Sequence, residues 1–262
     1  MDNRIDLILF LIIVTVASIL WGRINRIGYS KFITSIVHFI MQYSKMNAEL
    51  IRSYLVWSIY MFVGLVAAVG LLLTYRVNLL RYLTLDPRYF MLIPLAFIAQ
   101  NSLTGLMMHS WIAAKPTMNV FLELTSIPWV KYTLMMPGIM RVIAPLGASI
   151  FEELFFRGAI FLVLVNNFPQ TGVYLPILVC TALFVLQQVL QTDTLGQGLI
   201  FVIGSTSISV VGCVATLYTR SFLPTLLCHA AYAFFYFQLG TSMSKNNPKI
   251  QKSKPSSVYP GF

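Results

Sequence analysis

Two adjacent glutamates and an arginine, in the order Glu152-Glu153-Leu154-Phe155-Phe156-Arg157-Gly158, interrupt an apolar run of the length that crosses a bilayer. An ionisable side chain in such a run is costly unless it is paired or hydrated, and by default it marks a functional site. On a helix Glu153 and Arg157 lie four residues apart with the acid on the N-terminal side, the favourable order for an intrahelical ion pair. Glu152 is rotated by about 100° from its neighbour, points elsewhere and lacks that partner. A carboxylate withheld from water in this way suits general-base chemistry near neutral pH. The alternative is a packing network in which all three charges lock the helices together. His229, next to Cys228 in the last apolar run, is the second candidate, because a buried glutamate elsewhere in the bundle gives it something to work with. His38 and His109 have no such company and read as satisfied core histidines.

These groups must be positioned by membrane helices. The chain has 262 residues, 58% hydrophobic and only 10% charged, against about a quarter charged in ordinary soluble domains. Apolar stretches of spanning length, roughly 17 to 25 residues, recur at about 5–21, 54–74, 90–108, 142–165, 173–190, 199–218 and 222–239. The reading is an all-α, polytopic membrane helix bundle of about seven transmembrane helices. The first stretch lacks the basic start and small-residue cleavage site of a signal peptide and reads as a retained anchor. Between the first two spans, Arg26, Lys31, Lys45 and Arg52 surround an apolar patch from Phe32 to Ile40, which suits a helix lying among lipid headgroups or, alternatively, a cytoplasmic loop.

The net charge of +10 falls between spans and in the tail, where the positive-inside tendency accounts for it without nucleic acid. The last 20 or so residues, with Lys245, Lys249, Lys252 and Lys254, read as a basic disordered tail on the cytoplasmic side. Seven spans then place the N-terminus outside, and Arg76, Arg81 and Arg88 fall on the unexpected side unless the third segment, interrupted by Gln100, Asn101 and Ser102, is re-entrant. Cys180, Cys213 and Cys228 form no CxxC pair and read as small buried apolar residues. A zinc site needs three or four convergent ligands, so neither metal nor cofactor is expected. A transporter would show paired repeats and broken helices about a midplane site, and no repeat is visible.

With these residues in view, the chain resembles the CPBP intramembrane endopeptidases, the family of CAAX-prenyl endopeptidases and bacteriocin-processing or immunity proteins. The EExxxR motif followed by glycine is matched in full by Glu152 to Gly158. The second motif, FxxxH, is met by Phe184 but has Gln188 in place of histidine. The third, histidine followed three or four residues on by asparagine, is met by His229 with Tyr232 and Ala233. The resemblance covers about Val142 to Leu239 and implies a four-helix CPBP-type core at 142–240, after N-terminal spans and an amphipathic segment at 1–141 and before the tail at 241–262. It implies an intramembrane endopeptidase acting on a membrane-associated peptide or protein. Glu152 would activate water, Glu153 and Arg157 would support it, and His229 would act as electrophilic partner. Gln188 would position the water, and Tyr232, which with Tyr236 can project from roughly the face of His229, would supply the hydrogen-bond donor that Ala233 lacks. The alternative is a degenerate member that binds a membrane partner as an immunity or scaffold protein.

Overall fold

The computed structural model describes residues 3–84, 86–115 and 119–246, with the side chains of Asn3, Phe121 and residues 236–246 left aside. The described residues are helical, without strands. Helix α1 (Asn3–Gly22) is followed by one turn, α2 (Ile24–Ile27), and by α3 (Lys31–Tyr43), whose start is capped by the Ser30 hydroxyl accepting from Ile33 N. Asn47 caps α4 (Ala48–Thr74) in the same way through Leu50 N, which satisfies a backbone donor that the first helical turn leaves orphaned. Two 3-10 turns lead into α5 (Leu92–Ala114). The short helices α6 (Val120–Ser126) and α7 (Pro128–Met135) follow, α7 starting on a proline whose missing N–H costs nothing there.

The glutamate-bearing segment is one continuous helical rod in three parts: α8 (Met140–Glu153), a π-helical stretch (Leu154–Phe161) and α9 (Leu162–Asn167). Helices α10 (Tyr174–Val189), α11 (Leu195–Thr219) and α12 (Leu223–Asn246) complete the bundle. Each of the seven apolar segments read from the sequence is thus a helix. By length and composition, four of them suffice to cross a membrane: Arg4–Gly22, Ala48–Thr74, Pro87–Ala114 and Leu195–Thr219. Tyr174–Val189 and Leu223–Phe235 are shorter apolar helices. Large apolar side chains such as Ile8, Leu20, Phe62, Leu73 and Leu106 are exposed on the outer faces, as lipid-facing positions of such a bundle are.

Three expectations change. His38 and His109 are exposed rather than core residues, because the helix face each occupies is turned away from the bundle. The third segment is not re-entrant: α5 is unbroken through Gln100 to Ser102, with Asn101 Nδ2 donating to the Phe97 carbonyl one turn back at 2.8 Å. Of the two readings of the stretch after the first span, the helix holds; α3 lays Ile33 and Val37 against Ile51 of α4 while Phe32 and Phe39 face outward. The tail does not begin at 241, since α12 runs to Asn246; Lys249, Lys252 and Lys254 lie outside the described residues. The three cysteines are free and buried, as read.

The core centres on an aromatic cluster. Trp21 meets Phe155 at 5.2 Å and Phe156 at 5.8 Å between ring centroids, and Phe156 meets Phe184 at 4.9 Å. Such rings bury large apolar areas and pair edge-to-face or offset, which fixes α1, the π-helix and α10 against one another. Helix α1 also crosses α10 at Gly22, where a Cβ would stand 2.6 Å from the Gln187 carbonyl. Only glycine permits that approach.

Candidate active site

The π-helix begins directly after Glu153, and short π stretches of this kind recur at functional sites. It carries Arg157 into the fully buried interior, where its Nη1 lies 3.0 Å from Glu153 Oε1. None of the three guanidinium nitrogens has an aligned hydrogen-bond acceptor among the described residues. The attraction is therefore charge to charge, supplemented by the Phe184 ring, over which the guanidinium carbon sits 4.6 Å from the centroid.

Glu153 has three neighbours. Besides Arg157, its Oε1 lies 2.8 Å from His229 Nδ1, and its Oε2 accepts from the Thr225 hydroxyl at 3.0 Å. Because Arg157 holds Glu153 as a carboxylate, which can only accept, Nδ1 is the protonated ring nitrogen of His229. Phe184 closes on the same imidazole with ring centroids 5.7 Å apart. The phenylalanine of the second motif thus supports both Arg157 and His229.

The other ring nitrogen faces Glu152. His229 Nε2 lies 3.6 Å from Glu152 Oε2, while Glu152 Oε1 accepts from Gln188 Nε2 at 2.8 Å and from the Tyr60 hydroxyl. A carboxylate oxygen and an imidazole nitrogen whose partner atom already bears the ring proton are both acceptors. They can face each other only across a shared proton or a bridging water.

The group opens onto a cavity of about 320 Å³, lined largely by apolar side chains and by Glu152, Gln188, His229, Tyr60, Tyr232 and Ala233. The short helices α6 and α7 contribute Leu124, Trp129 and Tyr132 to its wall. Among the residues singled out from sequence, Gln188 and His229 each meet Glu152, Glu153 and Arg157 stand behind them, and Tyr232 borders the cavity. The Tyr232 hydroxyl points at Gly204 of α11, 3.1 Å from where a Cβ would be. Tyr236 has its side chain outside the described residues. No group of three or more His, Cys, Asp or Glu side chains gathers to hold a metal among the described residues.

Sequence reasoning missed Tyr60, Thr225 and Gln187. Gln187 Nε2 donates to the Tyr60 hydroxyl at 2.7 Å. Thr225 stands one turn before His229 on α12 and was within reach of helical spacing. Tyr60 lies 92 residues before Glu152 on another helix, and nothing in its neighbourhood distinguishes it from the other tyrosines.

Residues 134–235 match the family model described as Type II CAAX prenyl endopeptidase Rce1-like. That is the CPBP family indicated by the EExxxR motif, and over this segment the resemblance holds. The segment contains Glu152, Glu153, Arg157, Gln188, His229, Tyr232 and Ala233 and omits Tyr60. No curated protein and no solved structure matches the chain. The matched family is one of intramembrane proteases, and the helices of this chain are those of an integral membrane protein.

Proposed function

We propose that the chain is an intramembrane endopeptidase in which Glu152 activates water against a peptide bond of a membrane-associated substrate. The observation that carries this reading is the pairing of Glu152 Oε2 and His229 Nε2, two buried polar atoms 3.6 Å apart on residues that line the cavity, from which a water can bond to both from the side. A water placed there gives a proton to Glu152, and its oxygen adds to the substrate carbonyl carbon. The negative charge that develops on the carbonyl oxygen is met by His229 when the shared proton rests on its Nε2. Collapse of the adduct breaks the C–N bond, and Glu152 returns its proton to the leaving amine. Glu153 orients the imidazole, and Arg157 balances Glu153.

Arg23, Arg26, Lys31 and Lys45 follow the first span in the sequence, and the ring of Tyr29 in that stretch lies 6.3 Å from that of Tyr132 of α7, which lines the cavity. The positive-inside tendency favours a cytoplasmic position for that basic stretch, and the peptide would then enter from the cytoplasmic side.

A second reading is a binding protein that has lost catalysis. It is favoured by Gln188, whose amide cannot take a proton, and by Ala233, which offers the cavity only a methyl group. Incubation of the purified chain in detergent with a membrane-proximal fluorogenic peptide distinguishes the two. Cleavage abolished by Glu152→Gln supports the enzyme; peptide binding without cleavage, unaffected by that substitution, supports the binding protein.

A further inference from the structure

A carboxylate has two equivalent oxygens, and a base that must face one water gains from having the other oxygen occupied. In Glu152 that oxygen is Oε1. Two donors converge on it, the Gln188 amide and the Tyr60 hydroxyl, leaving Oε2 alone toward His229 Nε2. Tyr60 is itself fixed on every side. Its hydroxyl has one proton, and since Glu152 can only accept and the Gln187 amide nitrogen can only donate, the chain of donors runs from Gln187 through Tyr60 to Glu152. Its backbone carbonyl accepts from Trp21 Nε1 at 2.9 Å, and the two rings lie 4.9 Å apart. The indole fits only because Gly64, one turn on, has no Cβ, which would stand 2.4 Å from Trp21 Cζ2.

From this geometry we infer that Tyr60 is a positioning residue of the site: it occupies Oε1 of Glu152, assigns the reacting role to Oε2, and compensates for the imidazole absent at position 188. The inference rests on the endopeptidase reading for its catalytic consequence but not for the contact itself. It also gives the N-terminal half a task, since α1 and α4 lie wholly outside the segment that matches the family model. Trp21 and Gly64 hold Tyr60, and Tyr60 completes a site whose other members come from α8, α10 and α12.

The test uses the full chain in detergent micelles and four variants: Tyr60→Phe, Gln188→His, the two combined, and Glu152→Gln. Two quantities are read: kcat and KM for cleavage that depends on Glu152, and labelling of Glu152 and Glu153 by a hydrophobic carbodiimide, followed residue by residue in the mass spectrometer. Tyr60→Phe keeps the ring against Trp21 and removes only the hydroxyl. It lowers kcat by about tenfold or more, as loss of one preorganised donor does, with KM within about twofold. Gln188→His restores kcat by a larger factor in the Tyr60→Phe background than in the parent, which a merely structural tyrosine would not produce. Labelling of Glu152 rises about threefold or more as Oε1 is uncovered, while that of Glu153 does not change. Gln187→Met, which leaves the hydroxyl but removes its donor, moves labelling the same way by less and serves if Tyr60→Phe fails to fold. A kcat within twofold of the parent, or unchanged Glu152 labelling, overturns the inference. Absence of Glu152-dependent cleavage in the parent overturns the endopeptidase reading instead, and labelling then decides the role of Tyr60 alone.

Discussion

Arg157→Ala isolates the support of the site from its chemistry. The arginine is fully buried, 3.0 Å from Glu153 and stacked on Phe184 at 4.6 Å. Removing one member of a buried pair costs about 3–5 kcal/mol, because the other charge is left without compensation. Loss of the ring contact adds about 0.5–2 kcal/mol. At about 2–4 °C per kcal/mol for a chain of this size, a total of about 3.5–7 kcal/mol lowers the unfolding temperature by about 7–28 °C. Glu152→Gln behaves differently. The new amide oxygen still accepts from Tyr60 and Gln188, and its NH2 faces the acceptor Nε2 of His229, so the unfolding temperature stays within a few degrees. The assay is thermal unfolding in detergent followed by intrinsic tryptophan fluorescence. The combination Glu153→Gln with Arg157→Met separates charge from packing: it removes both charges, and the amide oxygen still accepts from His229 while its NH2 donates to the Thr225 hydroxyl oxygen. It recovers at least half of the loss. Equal destabilisation by Arg157→Ala and Glu152→Gln would refute the division between support and chemistry; a double variant no better than Arg157→Ala would show that packing and not a stranded carboxylate sets the cost.

Three further outcomes follow from the geometry. Gly64→Ala drives a methyl into the Trp21 ring, so thermal unfolding shows a loss of about 1–3 kcal/mol, and cleavage falls further than under Gly70→Ala, whose added Cβ meets nothing. Gly212→Ala places a Cβ 2.3 Å from the Thr225 hydroxyl that holds Glu153; the unfolding temperature drops, and Thr225→Ser in the same background recovers little because the clash is with the oxygen. Gln188→His with Ala233→Asn raises the cleavage rate measured with the fluorogenic peptide, whereas Tyr232→Phe lowers the parent rate by about tenfold if its hydroxyl replaces the missing asparagine as oxyanion donor, and leaves it unchanged otherwise.

Local chemistry made part of this protein legible in advance. Apolar runs long enough to span a bilayer must be helices, since nothing else satisfies their backbone within lipid, and each of the seven segments is one. Spacing along a helix placed Arg157 under Glu153 because residues four apart share a face, and that relation survives in the π-helix that follows Glu153. Which histidine meets the glutamates was less accessible. His38, His109 and His229 all sit in apolar helical sequence, and only the packing of α12 against α8 turns His229 inward to Glu152 and Glu153 while the other two face outward. Tyr60 and Gln187 were beyond reach altogether. Their contacts join helices 92 and 127 residues apart in the chain, and which hydroxyl meets which carboxylate depends on the depth and rotation of neighbouring helices. Those are set by close approaches such as Gly22 on the Gln187 carbonyl and Gly64 on Trp21. Sequence period determines which way a side chain points from its own helix; only tertiary packing determines what stands opposite.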